Sequence, residues 1–256
     1  MDNIYYQLQE YSRQVAETLR RPEFYRTFGS EIARSEKALS SNGPIRECRN
    51  QLDESLLECA HGLCHCEAVA RDAGALVMIE GRERGIEESE LCHLIQAAII
   101  AGLLHDIKRR EQDHAVLGSL EAEKILHHLA FDRRLSGYIT YAIRNHEAFK
   151  TTCDLGDEAG CLVSDALYDA DKFRWGPENF TTTLWLMVNS RGTPPLKLHE
   201  MFLEKMKGIE AIKDTFRTPT GRQYGPEIIG QGITIGKAIY AEMTALLING
   251  SQGRFS

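Results

Sequence analysis

Apolar residues recur at intervals of three and four along most of the chain, which is the spacing of an amphipathic helix. Alternating runs of β-branched and aromatic residues, which favour strands, hardly occur. Clear helix breakers lie at 40–44, in a loop at 153–159 and in the Gly- and Pro-rich segment 218–226. Together these features predict a single all-α domain over residues 1–256. Its predicted helices cover 3–19, 22–39, 45–79, 88–105, 114–129, 133–146, 161–173, 196–216 and 230–247.

The segment 88–105 is apolar on most sides, so we expect it to be buried in the centre of the fold. His105 ends this segment and Asp106 follows it directly. His65 lies on the apolar stripe of the preceding helix, and His146 continues the stripe of the helix over 133–146. The pattern therefore directs three imidazoles and one carboxylate towards the core.

A single histidine on an apolar face is more often bonded to a backbone carbonyl than to a metal, and an aspartate after a helix can cap the next one. Several such groups facing inward together weaken that explanation, because a buried polar group without a partner costs several kcal/mol. A divalent metal would satisfy all of them at once. Neutral imidazole and carboxylate are common ligands of Fe, Mn, Zn and Ni.

Four segments carry a resemblance: His65-Cys-Glu-Ala-Val-Ala-Arg, Gly102-Leu-Leu-His105-Asp106-Ile-Lys, Ala142-Ile-Arg-Asn-His146 and Asp169-Ala-Asp171-Lys-Phe. Their order resembles the H…HD…D pattern of the HD-domain superfamily of metal-dependent phosphohydrolases. The resemblance covers about 57–175 and implies an HD-domain helical bundle. Residues 1–56 and 176–256 would be helical extensions.

The resemblance implies that His65, His105, Asp106 and Asp171 are the ligands of a first divalent metal. Asp171 is preferred to Asp169 because it stands in the family's context, before Lys and a hydrophobic residue. Asp165 and Asp169 are expected to be solvated or to support the ligands from behind.

Binuclear members of the superfamily hold a second metal with two further histidines, a role that His114 and His146 match, while the HD aspartate bridges. His114 follows Asp106 by only eight residues, closer than in many binuclear relatives. It could instead orient water or a substrate phosphate. The prediction is one or two ions of Fe, Mn, Zn, Ni or Mg.

Such a site implies hydrolysis of a phosphate ester of a small metabolite or nucleotide, because a bound divalent metal lowers the pKa of water to about 7. Asp106 would then be catalytic as well as a ligand. Lys108, Arg109 and Lys172 are candidates to balance the negative charge of the phosphate, and Arg109 and Lys172 are preferred to Lys108 and Arg110. A solvated, charged turn explains Lys108 and Arg110 equally well.

Two other functions fit the same residues. A mixed-valent di-iron oxygenase uses the same superfamily scaffold with six ligands, and a non-catalytic metal-containing module would use the site only to bind a ligand. Outside the matched segments, Arg222 in the predicted loop 218–226 could bind an anion, although a plain helix-to-helix turn explains that loop as well. His61 could support His65 from one turn away, and Cys59, Cys64 and Cys66 are expected to pack near the site.

The amino-acid composition limits the kinds of binding partner that we expect. The 256 residues contain 30 Lys and Arg against 37 Asp and Glu, so the net charge is −7. This balance argues against a broad interface for nucleic acid polymers or anionic membranes. The seven cysteines show no disulfide-scaffold spacing and residues 1–20 do not resemble a signal peptide, so a cytoplasmic location is expected. The expected partners are a small anionic phosphorylated substrate and, through the surplus terminal helices, a second copy in a homodimer.

Overall fold

A computed structural model of the chain describes residues 3–52, 62–153 and 155–252. These residues form twelve α-helices and no strand, which confirms the predicted all-α class. The helices are α1 (Asn3–Thr18), α2 (Glu23–Thr27), α3 (Gly29–Ser41), α4 (Gly43–Arg49), α5 (Leu63–Glu83), α6 (Glu88–Leu104), α7 (His114–His128), α8 (Arg133–Arg144), α9 (Glu158–Phe173), α10 (Leu184–Ser190), α11 (Pro195–Ala211) and α12 (Pro219–Gln252).

Helix α6 occupies the centre, as its apolar sequence predicts, with eleven of its residues from Leu91 to Leu104 buried. It contacts α5, α8 and α9, and α7 packs on α8. Helices α5 and α6 approach closely at Gly102, where a Cβ atom would lie 2.4 Å from the Cα atom of Ala70. A glycine is required at this crossing, and it brings the start of α5 close to the end of α6.

The predicted helix over 45–79 is wrong in its first part, because α4 ends at Arg49 and α5 begins at Leu63. Both helices pack on α6. A single straight helix over 45–79 would be about 52 Å long, twice the length of α6, and could not pack on it throughout. Residues 53–61, which include Leu57, Cys59 and His61, lie outside the described residues, so the role suggested for His61 stays a prediction.

The predicted loop over 218–226 is also wrong, because α12 begins at Pro219. Buried carboxylates from two other helices accept hydrogen bonds from the backbone where this helix starts. Asp169 accepts from the backbone N–H groups of Arg217 and Thr218, each at 2.8 Å, and Glu80 accepts from that of Thr220 at 2.8 Å. These bonds supply partners for N–H groups that a helix start leaves unsatisfied, so the Gly- and Pro-rich segment can be helical.

The C-terminal elements cover one side of the helices that carry the predicted site. A π-helical turn (Asn179–Thr183) leads into α10, and a short 3₁₀ turn (Ile212–Asp214) joins α11 to α12. One continuous cluster of buried apolar side chains runs from Tyr5 to Met243. In the described part of the chain, no helix combines the length and the apolar character needed to cross a membrane.

Candidate metal centre

Five helices bring the six predicted ligands to one place. His65 lies in the first turn of α5, and His105 and Asp106 directly follow α6. His114 begins α7, His146 follows α8 by two residues, and Asp171 lies in the last turn of α9. None of the six is more than 8% exposed.

The first group of ligands surrounds the Nε2 atom of His65. This atom lies 3.3 Å from Nε2 of His105 and 3.5 Å from Oδ1 of Asp171. Nε2 of His105 lies 3.8 Å from the same Asp171 oxygen. These three residues form a group that could hold a metal ion.

Asp106 lies between this group and a second pair of imidazoles. Its Oδ2 atom is 3.5 Å from Nε2 of His105 and 3.9 Å from Nε2 of His65. Its Oδ1 atom is 3.5 Å from Nε2 of His146 and 3.8 Å from Nε2 of His114. Each carboxylate oxygen therefore faces one pair of histidines.

The short connection between Asp106 and His114 permits this arrangement. Asp113, immediately before α7, has a φ of 57°, in the left-handed region that aspartate tolerates better than most residues. The chain thus turns back within a few residues, and the eight-residue spacing does not keep His114 away from Asp106.

For two of the histidines, His105 and His146, a hydrogen bond to the backbone determines which ring nitrogen is available to bind a metal. Nδ1 of His105 lies 2.8 Å from the carbonyl oxygen of Gly102, and Nδ1 of His146 lies 2.6 Å from that of Ile143. A carbonyl only accepts, so each Nδ1 donates its proton and each neutral ring keeps a lone pair on Nε2. This is the tautomer and orientation that metal-ligating histidines show.

The electrostatic surroundings favour the neutral form of two imidazoles, His105 and His114, and the ionised form of Asp171, the protonation states that bind metals. Burial lowers the pKa of His105 to about 4. Burial also lowers the pKa of His114, with contributions from His146 and Arg109. Burial alone would raise the pKa of Asp171, but Lys172 and the neighbouring histidines outweigh it and hold that pKa well below its usual value.

Two of the predicted cations lie at this centre. The ammonium of Lys172 donates to Oδ2 of Asp171 at 2.6 Å and to the carbonyl oxygen of His146 at 3.0 Å. The guanidinium of Arg109 lies 2.9 Å from Nε2 of His114, and its Nε atom lies 3.8 Å from Oδ2 of Asp106. Because this guanidinium engages Nε2 of His114, binding of a second metal there requires Arg109 to move aside.

The structure does not bring Lys108 to the centre. Its ammonium lies 3.8 Å from Oε2 of Glu121, and neither Lys108 nor the exposed Arg110 lines the cavity described below. Of these three consecutive basic residues, Arg109 is the one that lines the cavity at the ligands.

Asp169 is neither solvated nor directed at the ligands. It is fully buried and accepts hydrogen bonds from the start of α12, including one from the Thr218 hydroxyl at 2.7 Å. Burial raises its pKa to about 6, although the donors from Arg217 and Thr218 oppose that shift. Asp165, one turn earlier, is half-buried.

A cavity of about 610 Å³ opens from the metal centre, and its size lies within the usual range of small-molecule sites. His65, Asp106, His114, His146 and Asp171 line its inner end, together with Arg109 and Lys172. Its far part is lined by the π-helical turn, α10 and α11.

Sequence reasoning missed several of the residues that line this cavity. Glu147 is one of them, and its Oε1 atom lies 3.9 Å from Nδ1 of His114. Its position next to His146 was the only sequence signal. Arg174 also lines the cavity, and it forms a buried cluster with Asp72, Tyr25 and Glu178. Glu178 lies one turn after Arg174, but Asp72 and Tyr25 are 102 and 149 residues away from it, so no local pattern connects them to the cavity.

Comparisons with protein-family models, with curated proteins and with solved structures found no match to this chain. The assignment of function therefore depends on the residues and geometry of the site.

Proposed function

We propose that this protein is a metal-dependent phosphohydrolase of the HD type, acting on a phosphate ester of a small molecule. The observation that carries the proposal is the position of Asp106, whose two oxygens face two separate pairs of imidazoles at the inner end of a cavity. Two cationic side chains lie beside the candidate ligands, Arg109 next to Asp106 and Lys172 next to Asp171. Acceptors that converge in this way suit cations, and the adjacent positive charges suit an anionic substrate.

In this proposal His65, His105, Asp106 and Asp171 hold one divalent metal, and Asp106, His114 and His146 hold a second. A divalent metal in such a site supplies a water of lowered pKa and balances negative charge on the phosphoryl group. Several first-row ions accept this donor set, so the metal's identity is left to measurement.

The side chains around the ligands have distinct tasks. Lys172 is held by Asp171 and by the carbonyl of His146, so it keeps Asp171 ionised and fixes the two chain segments relative to each other. Arg109, with 29% of its side chain exposed, can turn from His114 towards a phosphate oxygen in the cavity. A guanidinium binds a phosphate through two parallel hydrogen bonds, which orients the ester.

The test begins with protein purified without chelators, whose metal content is measured by elemental analysis. Phosphate release is then followed from p-nitrophenyl phosphate, nucleoside monophosphates and alkyl phosphates. We expect release that a chelator abolishes and that an added divalent metal restores.

Two variants provide the matched comparison. We expect Asp106→Ala to retain its helical circular dichroism while losing both bound metal and phosphate release. His128→Ala removes an exposed histidine of α7 and should behave like the wild type. Unchanged phosphate release in Asp106→Ala would refute the proposal.

A mixed-valent di-iron oxygenase needs the same six ligands, so the same preparation must be assayed for it. Two bound irons, oxygen consumption and no phosphate release would replace the hydrolase assignment. Metal-loaded protein that is inert in both assays would favour a non-catalytic ligand-binding role.

A further inference from the structure

The half of the cavity that is remote from the metal-binding residues is mainly apolar, whereas the half beside them is polar and charged. Apolar side chains of the π-helical turn, α10 and α11 line it, and we call six of them the apolar wall. They are Phe180, Met187, Val188, Phe202, Met206 and Ile209.

We propose that the ligand of this cavity is an amphiphile, a phosphate ester whose long apolar chain lies along the apolar wall. The inference rests on the proposed function for the position of the phosphate, and it goes further by naming the substrate class. Of the two substrate classes predicted from the sequence, a small metabolite or a nucleotide, it disfavours the nucleotide.

Packing behind the wall keeps it continuous. A Cβ atom at Gly236 of α12 would lie 2.5 Å from Sδ of Met206 and 2.7 Å from Cε1 of Phe180. The backbone of α12 therefore lies directly behind the wall, and a larger residue at this position would have to displace the side chains of Met206 and Phe180. Phe180, Phe202 and Met206 have little exposure, and each of them also lines the cavity.

The side chains of the wall suit a flexible chain better than a planar base. Three of the six methionines of the protein, Met187, Met201 and Met206, line this cavity. Methionine has three rotatable bonds and a polarisable sulfur, so it adapts to apolar groups of varied shape. A nucleobase is instead oriented by polar groups around its edge, and none of the six side chains of the apolar wall supplies one.

The distribution of charge along the cavity determines the direction in which the amphiphile binds. Arg109 and Lys172 lie at the end with the metal-binding residues, while Arg191 and Lys205 line the cavity but are exposed to solvent. An anionic head group is therefore favoured at the metal centre, and the apolar chain is favoured along the wall. On such a substrate, water would form a new bond to phosphorus and the ester P–O bond would break. The departing oxygen would take up a proton, releasing an alcohol and inorganic phosphate.

The first experiment measures binding of n-alkylphosphonates of two to twelve carbons to metal-loaded protein by calorimetry, below their micelle concentrations. Phosphonates cannot be hydrolysed, so this readout is independent of turnover. We expect the Kd to fall by up to about fourfold per methylene, the factor for full burial, until the cavity is filled. A Kd that does not change with chain length would overturn the inference.

A matched pair of variants tests whether the alkyl chain of the ligand binds in the cavity. Met201→Trp enlarges a cavity-lining residue of α11 that is 37% exposed, and Leu203→Trp makes the same kind of change at an exposed residue of α11 outside the cavity lining. If the added volume displaces two methylenes, the first variant should weaken binding of the longest phosphonates by about 15-fold. The two-carbon ligand should bind both variants equally well. Equal weakening by both variants, or by neither, would contradict the assignment.

The outcomes separate this inference from the proposed function. Release of phosphate from nucleotides, with no dependence on alkyl chain length, would overturn the amphiphile and leave the phosphohydrolase standing. Chain-length-dependent binding without hydrolysis of any alkyl phosphate would support the ligand class and overturn the hydrolase.

Discussion

The two ends of the cavity are built in opposite ways. At the metal end, buried polar side chains from five helices converge, and hydrogen bonds to backbone carbonyls set the rings of His105 and His146. At the other end, the wall consists of apolar side chains from the π-helical turn, α10 and α11. Reaction chemistry needs fixed donors at fixed distances, whereas an apolar chain needs only a continuous surface that excludes water.

The largest effect should come from the residue that divides the metal end into two halves. We expect Asp106→Ala to weaken binding at both metal positions by more than about 100-fold, since loss of even an outer partner costs 10- to 100-fold. His114→Ala should affect one position only. Metal titration followed by calorimetry checks this, and an identical stoichiometry in both variants would show that Asp106 does not bridge.

A pH titration of the metal-free protein distinguishes the buried metal end from the apolar wall, which has nothing to titrate. The pKa of His105 is about 4 in the folded protein against 6.5 in an ordinary environment, so the unfolded chain takes up a proton first as the pH falls. Asp169, whose pKa is raised to about 6, contributes in the opposite direction below pH 6, and it is present in every protein compared. The contribution of His105 to the free energy of unfolding should itself decrease by about 3 kcal/mol between pH 6.5 and pH 4. Above pH 6.5 this contribution is fully present.

Urea denaturation at a series of pH values measures this slope. His105→Gln cannot take up the proton, so the difference in free energy of unfolding between the wild type and this variant should change by about the same 3 kcal/mol over this pH range. His128→Gln, at an exposed position, should keep the slope of the wild type. Equal slopes in all three proteins would show that His105 is not held neutral by its surroundings.

The neighbouring cations Arg109 and Lys108 should differ in importance, because the first lies at the metal end and the second pairs with Glu121. Arg109→Ala removes a guanidinium that faces Asp106 and His114, and it should lower kcat/KM by about 10- to 100-fold, as expected for a hydrogen bond to a charged group. Lys108→Ala removes a charge that pairs with Glu121 instead, and activity should change by less than about twofold. A larger loss in Lys108→Ala would mean that the turn is arranged differently when substrate binds.

The smallest effect should come from the link between the two ends. Asp169 on α9 holds the start of α12, the helix that lies behind the apolar wall. Asp169→Asn keeps one acceptor oxygen and should reduce the free energy of unfolding by about 1 kcal/mol. Metal stoichiometry should not change, but binding of long alkylphosphonates should weaken. Asp165→Asn, on the same helix and half-buried, is the control and should change neither.

Four of the six candidate ligands could be predicted from local information. His65 and His146 lie on apolar stripes, and His105-Asp106 follows a helix that is apolar on most sides, so helical periodicity alone directs them inward. The structure brings all six predicted ligands together. It also puts Arg109, which the sequence already favoured over Lys108, beside the ligands, and it pairs Lys108 with Glu121.

The C-terminal part shows where such reasoning fails. Glycine and proline predicted a loop at 218–226, but the start of α12 is stabilised by Asp169 and Glu80, which are 49 and 140 residues distant from their partners. In the sequence, Phe180, Phe202 and Met206 are apolar residues that cannot be told apart from ordinary core residues. Nothing local indicates that they line a cavity.

The sequence by itself determined the helical class, the inward direction of the histidines and the set of side chains available to a metal. These follow from the 3.6-residue period and from neighbours within one or two turns. Only the tertiary structure decided that Asp106 faces two imidazole pairs, that Lys108 pairs with Glu121 away from them, and that an apolar cavity extends from the centre. Each of these features depends on how separate helices pack. Packing brings together residues that are distant in the sequence, and a local sequence pattern does not predict which of them will meet.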